Sequence, residues 1–588
     1  MKQFFKFFLA SCLGFLVSFI ALGAIGVWII SAVATSAVND EPNVDVDDNS
    51  ILYLTLNNAI VDHTTSEGLP SVLGGSSAIG LDDILASIKY AKTDDHIKGI
   101  FIEASSLNTG MATVEELRNS LLDFKTSGKF IIAYSDYYTQ GGYYLSSIAD
   151  KIYVNPMGGV EFKGLSAELV FIKGTLEKLG VEPQIIRHGK FKSAIEPLIN
   201  DKMSESNRLQ TRTYIGSLWN KMLDGVSKSR KISVADLQTI ANGLLITDAK
   251  AAMDKKFVDG VKYKDEVLDM LKEKTGSESI NKINFINLNN YVKVNKPTVG
   301  DRNKKVAVIF AEGSIVDGKG SDGDIGSVTL SRQLRSARLD DKIKAVVLRI
   351  NSPGGSALAS DVIWREVLLL KKVKPVIVSM GNVAASGGYY IACAADTIVA
   401  QPNTITGSIG VFGVLWNAKG LTDKLGVSVD TVKTGAMADL GTASRAMTEP
   451  ERKYIQNQIE MIYDVFIGKV ADGRKMSKAD VDSIGQGRVW SGIDAKRIGL
   501  VDVLGGMDVA INIAAKKAKL EDYSVVFLPR PEKGLTKLFK DLSGDDDDKV
   551  SKIMAKELGP DYKYYQYLKN ARQIQGIQAR MPYEIEIH

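Results

Sequence analysis

The stretch Ala385-Ser386-Gly387-Gly388-Tyr389-Tyr390 has a counterpart 246 residues earlier in the chain, Thr139-Gln140-Gly141-Gly142-Tyr143-Tyr144. Recurrence at a fixed offset is the sequence signature of a repeated structural unit. Four further pairs of segments share this offset, among them Asp94-Asp95-His96-Ile97-Lys98 with Asp340-Asp341-Lys342-Ile343-Lys344, and Lys178-Leu179-Gly180-Val181 with Lys424-Leu425-Gly426-Val427. The chain is therefore predicted to contain two tandem copies of one domain, at residues 50–290 and 300–530.

Each copy alternates short β-rich runs with segments of helical periodicity. One helix is predicted over Asp361 to Val373, with Ser360 as its N-cap. Strand and helix in alternation predict an α/β fold with a mainly parallel sheet and right-handed crossovers. A Ser-, Asn- and Lys-rich stretch around residues 274–304 is interpreted as the linker between the copies. The strands predicted in the second copy are Val306 to Ala311, Lys344 to Ile350, Val376 to Met380 and Thr397 to Ala400.

The N-terminal region is predicted to be a membrane anchor. No charged residue lies between Lys6 and Asp40, and the apolar run from Phe7 to Val33 exceeds the ~20 residues that span a bilayer. Lysines precede this run and acidic residues follow it, so the positive-inside rule places residues 1–40 as a cytoplasmic tip and anchor, and the remaining chain across the membrane. A cleaved signal peptide remains an alternative, since small residues at 32–34 offer a cleavage site.

The C-terminal residues 531–588 are treated as an extension of the second copy. They include four consecutive aspartates, Asp545 to Asp548, which favour a solvated loop. The terminal alternation Glu584-Ile585-Glu586-Ile587 is typical of an edge strand.

Composition excludes several classes of function. The 73 basic and 69 acidic side chains are interspersed and leave a net charge of +4, so no nucleic-acid partner is expected. Four histidines and two cysteines, without an HExxH or CxxC motif, argue against a zinc site. We expect no metal and no cofactor, and acid/base chemistry that manages without histidine.

Two glycine-rich turns carry the candidate chemistry. The strand that ends at Ile350 runs into Asn351-Ser352-Pro353-Gly354-Gly355-Ser356, where backbone N–H groups of Gly354 or Gly355 can approach a ligand closely. The next strand leads into Ala384-Ala385-Ser386-Gly387, which exposes a hydroxyl at the start of a helix. Ser386 is the candidate nucleophile, with the N–H of Gly387 positioned for an oxyanion.

The general base is assigned by comparing the two copies. Gln140 replaces Ser386 in the first copy, whereas Ala438 replaces Lys192 in the second. Such complementary loss is expected if one composite site lies between the copies, with Lys192 as the base. His188 remains an alternative partner for Ser386.

Taken together, these motifs resemble the long, tandem-duplicated signal peptide peptidases of the SppA (protease IV) type. The likeness covers nearly the whole chain, up to the ending Gln578-Ala579-Arg580-Met581-Pro582-Tyr583. It implies a fold shared with crotonases and the Clp protease subunit, and a Ser386/Lys192 dyad with Ser408 orienting the lysine. It also implies a homotetrameric bowl whose hydrophobic interior faces the membrane.

The expected activity is hydrolysis of hydrophobic peptides, above all cleaved signal peptides, by a single-pass protein of the bacterial inner membrane with its catalytic body on the periplasmic side. Two alternatives stay open at this point. A crotonase-type acyl-CoA enzyme would use the same oxyanion hole without Ser386 or Lys192, and a non-catalytic membrane scaffold would need neither residue.

Overall fold

The computed structural model describes residues 45–64, 78–294, 300–321, 323–529 and 576–581, together with isolated positions between residues 6 and 23. The predicted anchor therefore lies almost wholly outside the described residues, as do the aspartate run and the predicted terminal strand. Within the part of the chain that is described, no helix is both long and apolar enough to cross a membrane.

The first repeat is built on a parallel sheet with the strand order β8-β6-β5-β4-β1-β9. Its central strands β4 and β5 are almost completely buried, because most of their residues are apolar. A separate short pair, β2 and β3, precedes the first helix. The strands of this repeat are β1 (Ser50–Leu54), β2 (Ile60–Val61), β3 (Ile79–Gly80), β4 (Ile97–Ile102), β5 (Phe130–Tyr138), β6 (Lys151–Val160), β7 (Glu182–Arg187), β8 (Gly260–Val261) and β9 (Phe285–Asn287).

Helices connect these strands in the βαβ manner predicted from the sequence. They are α1 (Leu81–Thr93), α2 (Met111–Lys125), α3 (Gln140–Ser146), α4 (Lys173–Leu179), α5 (Glu196–Ile199), α6 (Glu205–Arg230), α7 (Val234–Gly243), α8 (Ala249–Asp254), α9 (Lys264–Thr275) and α10 (Leu288–Val294).

The second repeat has a mostly parallel sheet in the order β19-β17-β15-β13-β10-β21, with β16 and β20 branching from β15. All four strands predicted here are present. The strands are β10 (Lys305–Glu312), β11 (Ser314–Val316), β12 (Asp324–Gly326), β13 (Ile343–Ser352), β14 (Gly354–Ser356), β15 (Val376–Ala385), β16 (Thr397–Ala400), β17 (Ile405–Gly407), β18 (Phe412–Asn417), β19 (Val489–Ser491), β20 (Val503–Leu504), β21 (Ser524–Leu528) and β22 (Gly576–Arg580).

One helix differs from its prediction at both ends and spans Ala357–Lys371 instead of Asp361 to Val373. The helix predicted from Asp361 begins at Ala357, and its N-cap is Ser356, whose hydroxyl accepts from the Ala359 N–H. Ser360 lies inside the helix and donates to the Ser356 carbonyl instead. The helices of this repeat are α11 (Ser327–Leu339), α12 (Ala357–Lys371), α13 (Gly387–Ala392), α14 (Lys419–Lys424), α15 (Glu449–Arg474), α16 (Lys478–Ile484), α17 (Gly492–Arg497) and α18 (Met507–Lys517).

Much of the stretch interpreted as a linker is folded. Within residues 274–304, β9 pairs with β1 as the edge of the first sheet, and α10 packs behind it. Asn, Ser and Lys side chains are compatible with this position because an edge strand leaves one side open to solvent. The first repeat thus continues to at least Val294.

A third sheet joins the two repeats in the order β12-β11-β14-β22-β18-β7. Strand β7 of the first repeat pairs antiparallel with β18 of the second, from Glu182 opposite Asn417 to Arg187 opposite Phe412. The backbone of the first repeat therefore extends a sheet of the second. This pairing fixes the position of the chain segment that follows β7.

Candidate active site

Ser386 lies between the end of β15 and the first turn of α13. Its backbone has φ 54° and ψ −112°, a conformation that a serine adopts only where its surroundings hold it. One such contact is the hydrogen bond from its N–H to the Gly407 carbonyl, at 2.8 Å. This strand-to-helix turn resembles the elbows that present nucleophilic serines.

Lys192 reaches the same place from the first repeat. After β7, the chain stays attached to the second repeat through the His188 N–H, which donates to the Val411 carbonyl, and the Phe191 N–H, which donates to the Gln486 carbonyl. The lysine side chain therefore enters the second repeat from a segment that is anchored on it. Lys192 and Ser386 are 194 positions apart in the sequence.

The Lys192 Nζ lies 2.8 Å from the Ser386 Oγ, within a single chain. It also lies 3.0 Å from the Ser408 carbonyl oxygen and 3.1 Å from the Ser408 Oγ. All three side chains are fully buried, with 0% of their surface exposed. Two of the predicted site residues, Ser386 and Lys192, are thus in hydrogen-bond contact, and Ser408 holds the amine from the other side.

Burial lowers the pKa of Lys192 well below its usual value, because removal from water penalises the charged form and no carboxylate compensates. A buried lysine of this kind can be neutral near physiological pH. It then has a lone pair that can accept the proton of a neighbouring hydroxyl.

Gly354 and Gly387 meet next to Ser386. Gly354 has φ +95°, which favours glycine, and a Cβ placed on it would lie 2.6 Å from the Gly387 nitrogen. Any side chain at residue 354 would therefore fill the space in front of the Gly387 N–H. Gly355 follows in β14, and a Cβ on it would contact the Ile315 backbone. Of the three predicted oxyanion glycines, Gly354 and Gly387 are thus adjacent to one another beside the candidate nucleophile.

The other sequence candidates lie elsewhere. The His188 Nδ1 is 2.6 Å from the Glu460 carboxylate, and its ring stacks on Tyr463, so this side chain is engaged away from Ser386. Gln140, the counterpart of Ser386, uses its amide to hold the backbone of residues 163 and 164. Ala438, the counterpart of Lys192, lies exposed in a turn. The two copies therefore differ at these positions in structure as well as in sequence.

A buried polar network lies behind Lys192 and has no recognisable motif in the sequence. The Gln210 side chain, on α6, donates to the Phe191 carbonyl and to the Ser193 hydroxyl, which flank the lysine. Its oxygen accepts from the Val489 N–H of the second repeat, at 3.3 Å. Asn207 and Glu196 complete the network. Gln210 thus fixes the lysine segment to both repeats, as a positioning residue.

We expect Gln210→Leu to lower kcat for peptide hydrolysis about 10- to 100-fold with a smaller effect on KM. The leucine leaves the Phe191 carbonyl and the Val489 N–H without their partner, and small displacements of a catalytic group are costly. Steady-state kinetics over a pH series checks this, since a displaced amine also shifts the acidic limb of the profile. Thr213→Ala, at a half-buried position of the same helix outside this network, is the matched control; equal kcat in both variants would contradict the positioning role.

Comparison with known proteins agrees with the repeat. A model of peptidase family S49 matches residues 123–278 and again residues 369–521, once in each copy, and a Clp protease model matches residues 301–406. A solved ClpP1 chain from Listeria monocytogenes matches 35% of this chain and 94% of its own length, at 17% identity and a TM-score of 0.24.

Curated relatives match over most of the chain. Protease 4 of Salmonella typhi is 38% identical over 86% of this chain and 83% of its own length. The chloroplastic serine protease SPPA of Arabidopsis thaliana is 34% identical over 90% of this chain and 77% of its own, and Protease 4 of Haemophilus influenzae is 37% identical over 75% of each.

These matches favour a peptidase over the acyl-CoA enzyme and the scaffold, because each of these relatives is named a protease. The chain belongs to peptidase family S49 and is a serine peptidase with a tandem duplication of its domain.

Proposed function

We propose that the chain is a Ser/Lys-dyad endopeptidase that hydrolyses hydrophobic peptides, foremost the signal peptides left after secretion. The observation that carries this proposal is the 2.8 Å contact between the Lys192 Nζ and the Ser386 Oγ in a fully buried setting. No other base lies at hydrogen-bond distance from the Ser386 hydroxyl among the described contacts, where its second neighbour is the Gly410 carbonyl oxygen at 3.5 Å.

The mechanism starts from the neutral amine of Lys192. As the Ser386 Oγ attacks the peptide carbonyl carbon, its proton passes to the Lys192 Nζ. The N–H of Gly387, with that of Gly354 or Gly355, stabilises the negative oxygen of the tetrahedral intermediate. The ammonium then protonates the leaving amine, and the acyl-enzyme forms. Lys192, neutral again, takes a proton from the water molecule whose oxygen attacks the ester carbon, and the ammonium returns that proton to the Ser386 Oγ as the peptide acid leaves.

Ser386→Ala tests this proposal directly. We expect loss of hydrolysis of a synthetic signal peptide by the detergent-purified protein, by about 10⁴-fold or more, because no other group supplies the attacking oxygen. The measurement is product formation followed by mass spectrometry. Ser336→Ala, an exposed serine on α11, is the control and should retain full activity. Undiminished cleavage by Ser386→Ala would reject the nucleophile.

The substrate class rests on the setting of the site. Apolar clusters include the residues that flank the dyad in the chain, Ala194 and Ile195 after Lys192 and Ala385 before Ser386, which favours peptides with apolar residues. The charge-free N-terminal run supports anchoring of the body on the periplasmic side of a bacterial inner membrane. Hydrophobic segments released into that membrane are then within reach of the site.

We further propose that four copies form a ring, and the duplication indicates how they contact one another. Within one chain, β7 of the first repeat pairs with β18 of the second. At an offset of 246, the counterpart of β7 is residues 428–433 and the counterpart of β18 is residues 166–171. Residues 428–433 lie in no helix or strand of the described chain, and Val432 is 97% exposed. Pairing of 428–433 with 166–171 of a second copy would repeat the junction head to tail, as ring closure requires.

Val432→Pro is expected to weaken this assembly, since proline removes a backbone donor from the pairing strand. Light scattering after size exclusion should find a mass below four copies for this variant at concentrations where the unmodified protein is tetrameric. Leu339→Lys, which alters an exposed apolar residue on α11, should leave the mass unchanged. A tetramer of unaltered stability in Val432→Pro would contradict this interface.

A further inference from the structure

Strand β15 carries a bulge directly before the nucleophile. Its pairing with β13 is interrupted after Met380 and resumes at Ala384, so residues 381–383, which we call the β15 bulge, oppose the single residue Asn351 of β13. Bulges re-aim the residues beside them and are frequent next to active sites. Because Ser386 follows two residues after the pairing resumes, the conformation of the β15 bulge determines where the nucleophile lies.

The second repeat holds both ends of the β15 bulge. The Thr404 hydroxyl donates to the Gly381 carbonyl at 2.8 Å, and the Val383 N–H donates to the Asn351 side-chain oxygen at 3.2 Å. The side chain of the middle residue, Asn382, bonds to the first repeat instead. The bulge is therefore held from both repeats.

Asn382 caps helix α2 of the first repeat. Its side-chain oxygen accepts from the Thr113 N–H at 3.0 Å, and its amide donates to the Thr113 hydroxyl at 2.8 Å. The N-cap residue of α2 is Gly110, which has no side chain to accept a hydrogen bond, and a Cβ placed on it would lie 2.4 Å from the Asn382 Cγ. An N-cap side chain normally accepts from the second or third residue of its own helix. An asparagine four residues before the nucleophile takes that place here.

The second copy shows the cap that this contact replaces. Ser356, the counterpart of Gly110 at the offset of 246, is the N-cap of α12. Its hydroxyl accepts from the N–H of Ala359, the counterpart of Thr113. The second copy thus caps this helix with its own side chain, whereas the first copy relies on the other repeat.

The counterpart of Asn382 forms no such link. Asp136 accepts from the Tyr134 hydroxyl and from the Asn155 amide, each at 2.9 Å, and both partners lie in the first repeat. Of the two equivalent strands, the one that bonds to a helix of the other repeat is the one that leads to a nucleophile.

Helix α2 is well placed to hold the β15 bulge, because it is fixed at a second point. Glu116, one turn after Thr113, is 3% exposed and accepts from Arg349 of β13 at 3.1 Å. The apolar side chains of Val114 and Leu117 anchor the helix in the core of the first repeat. The cap contact therefore joins the bulge to a rigid element and not to a loop.

We propose that Asn382 is a positioning residue for the reaction, which places Ser386 against Lys192 by tying the β15 bulge to helix α2. This inference rests on the proposed Ser/Lys function of the site. The first repeat then contributes twice, since the segment after β7 brings the amine and α2 holds the strand that brings the hydroxyl. A displacement of about 1 Å between reacting groups can lower a rate about 100-fold, so loss of this link affects kcat more than the binding of peptide.

Asn382→Ala tests the proposal by removing both hydrogen bonds to Thr113. We expect kcat for hydrolysis of a synthetic signal peptide by the detergent-purified protein to fall about 10- to 100-fold, with KM changed by less than about twofold. The rate at which a fluorophosphonate probe labels Ser386 should fall together with kcat, because the probe reacts with the nucleophile alone. Asn119→Ala, at an exposed position of α2, is the control and should change none of these values.

Two further variants separate positioning from stabilisation of the helix. Asn382→Asp keeps an acceptor for the Thr113 N–H, and the Thr113 hydroxyl can donate to the carboxylate, so kcat should stay within about fivefold of that of the unmodified protein. Gly110→Ser combined with Asn382→Ala supplies a local cap, as Ser356 does in the second copy, but no link to β15. The melting temperature of this double variant should exceed that of Asn382→Ala, while its kcat stays as low.

Three outcomes would overturn the positioning role. They are a kcat of Asn382→Ala equal to that of the unmodified protein, a loss of activity in Asn382→Asp as large as in Asn382→Ala, and a return of kcat in the double variant. In each case an inactive Ser386→Ala would leave the dyad intact. Absence of both hydrolysis and Ser386 labelling from the unmodified protein would instead reject the peptidase assignment of the site, so the two failures are distinguishable.

Discussion

Lys192→Met is expected to reduce peptide hydrolysis by about 10⁴-fold or more, the magnitude seen when one member of a catalytic unit is removed. Methionine fills a similar volume but offers no basic lone pair, so the Ser386 proton has no acceptor. Lys190→Met is the matched control, because Lys190 lies two residues away on the same loop with its side chain exposed. Comparable losses in both variants would point to disruption of the loop rather than loss of the base.

The same variant should be more stable than the unmodified protein near neutral pH. The folded-state pKa of Lys192 is lowered, so the unfolded chain binds more protons than the folded one between that pKa and the usual value near 10.4. The free energy of unfolding of the unmodified protein therefore rises with pH across this window. At pH values below the window, each unit by which the pKa of Lys192 is lowered reduces that free energy by about 1.4 kcal/mol. Lys192→Met removes this cost, and thermal unfolding over a pH series measures it. An unchanged melting temperature and pH slope would contradict a neutral buried lysine.

Arg349→Leu is expected to lower the free energy of unfolding by about 3–5 kcal/mol, the usual loss when one partner of a buried ion pair is removed. Arg349 is 1% exposed on β13 and contacts the Asp62 carboxylate at 2.8 Å and the Glu116 carboxylate at 3.1 Å, both from the first repeat. Burial already raises the pKa of Glu116, and this arginine opposes that rise. Without it, two carboxylates would be buried between the repeats with no cation.

Denaturant unfolding checks this prediction, with Arg365→Leu on the exposed side of α12 as the control. The loss should diminish toward acidic pH. Glu312, next to Asp62, has a pKa raised to about 7 by burial first and by the Asp62 charge second. Protonation of Glu312, and of the Asp62 and Glu116 carboxylates left without Arg349, would relieve the repulsion among these three groups at acidic pH. Equal stability of the two arginine variants would show that the cluster does not couple the repeats.

The duplication made much of the site predictable from the sequence. The constant offset of 246 residues paired the segment around Ser386 with the segment around Gln140, and the exchange of Gln140 for Ser386 and of Ala438 for Lys192 indicated a composite site. In the structure β7 carries the lysine onto the second repeat by adding to its sheet. The sequence patterns indicated the composite site but not this strand pairing.

Other parts had no local signal. Gln210 lies on a long helix whose sequence resembles any amphipathic helix, and its role arises from contacts with residues 19 and 279 positions away. Arg349 sits in a β run and meets Asp62 across 287 residues. The start of α12 was misplaced because Ser360 and Ser356 are both acceptable caps, and only the turn after Gly355 decides between them. The position of β22 between β14 and β18 depends on pairing with strands more than 150 residues away.

Labelling with a fluorophosphonate probe, mapped by mass spectrometry, tests the account most directly. The probe reacts only with a serine whose hydroxyl is activated, so we predict modification of Ser386 in the unmodified protein and little or none in Lys192→Met under the same conditions. Modification of Ser386 at the same rate in Lys192→Met, or of a different serine in the unmodified protein, would contradict the claim that a lysine from the first repeat activates a serine of the second.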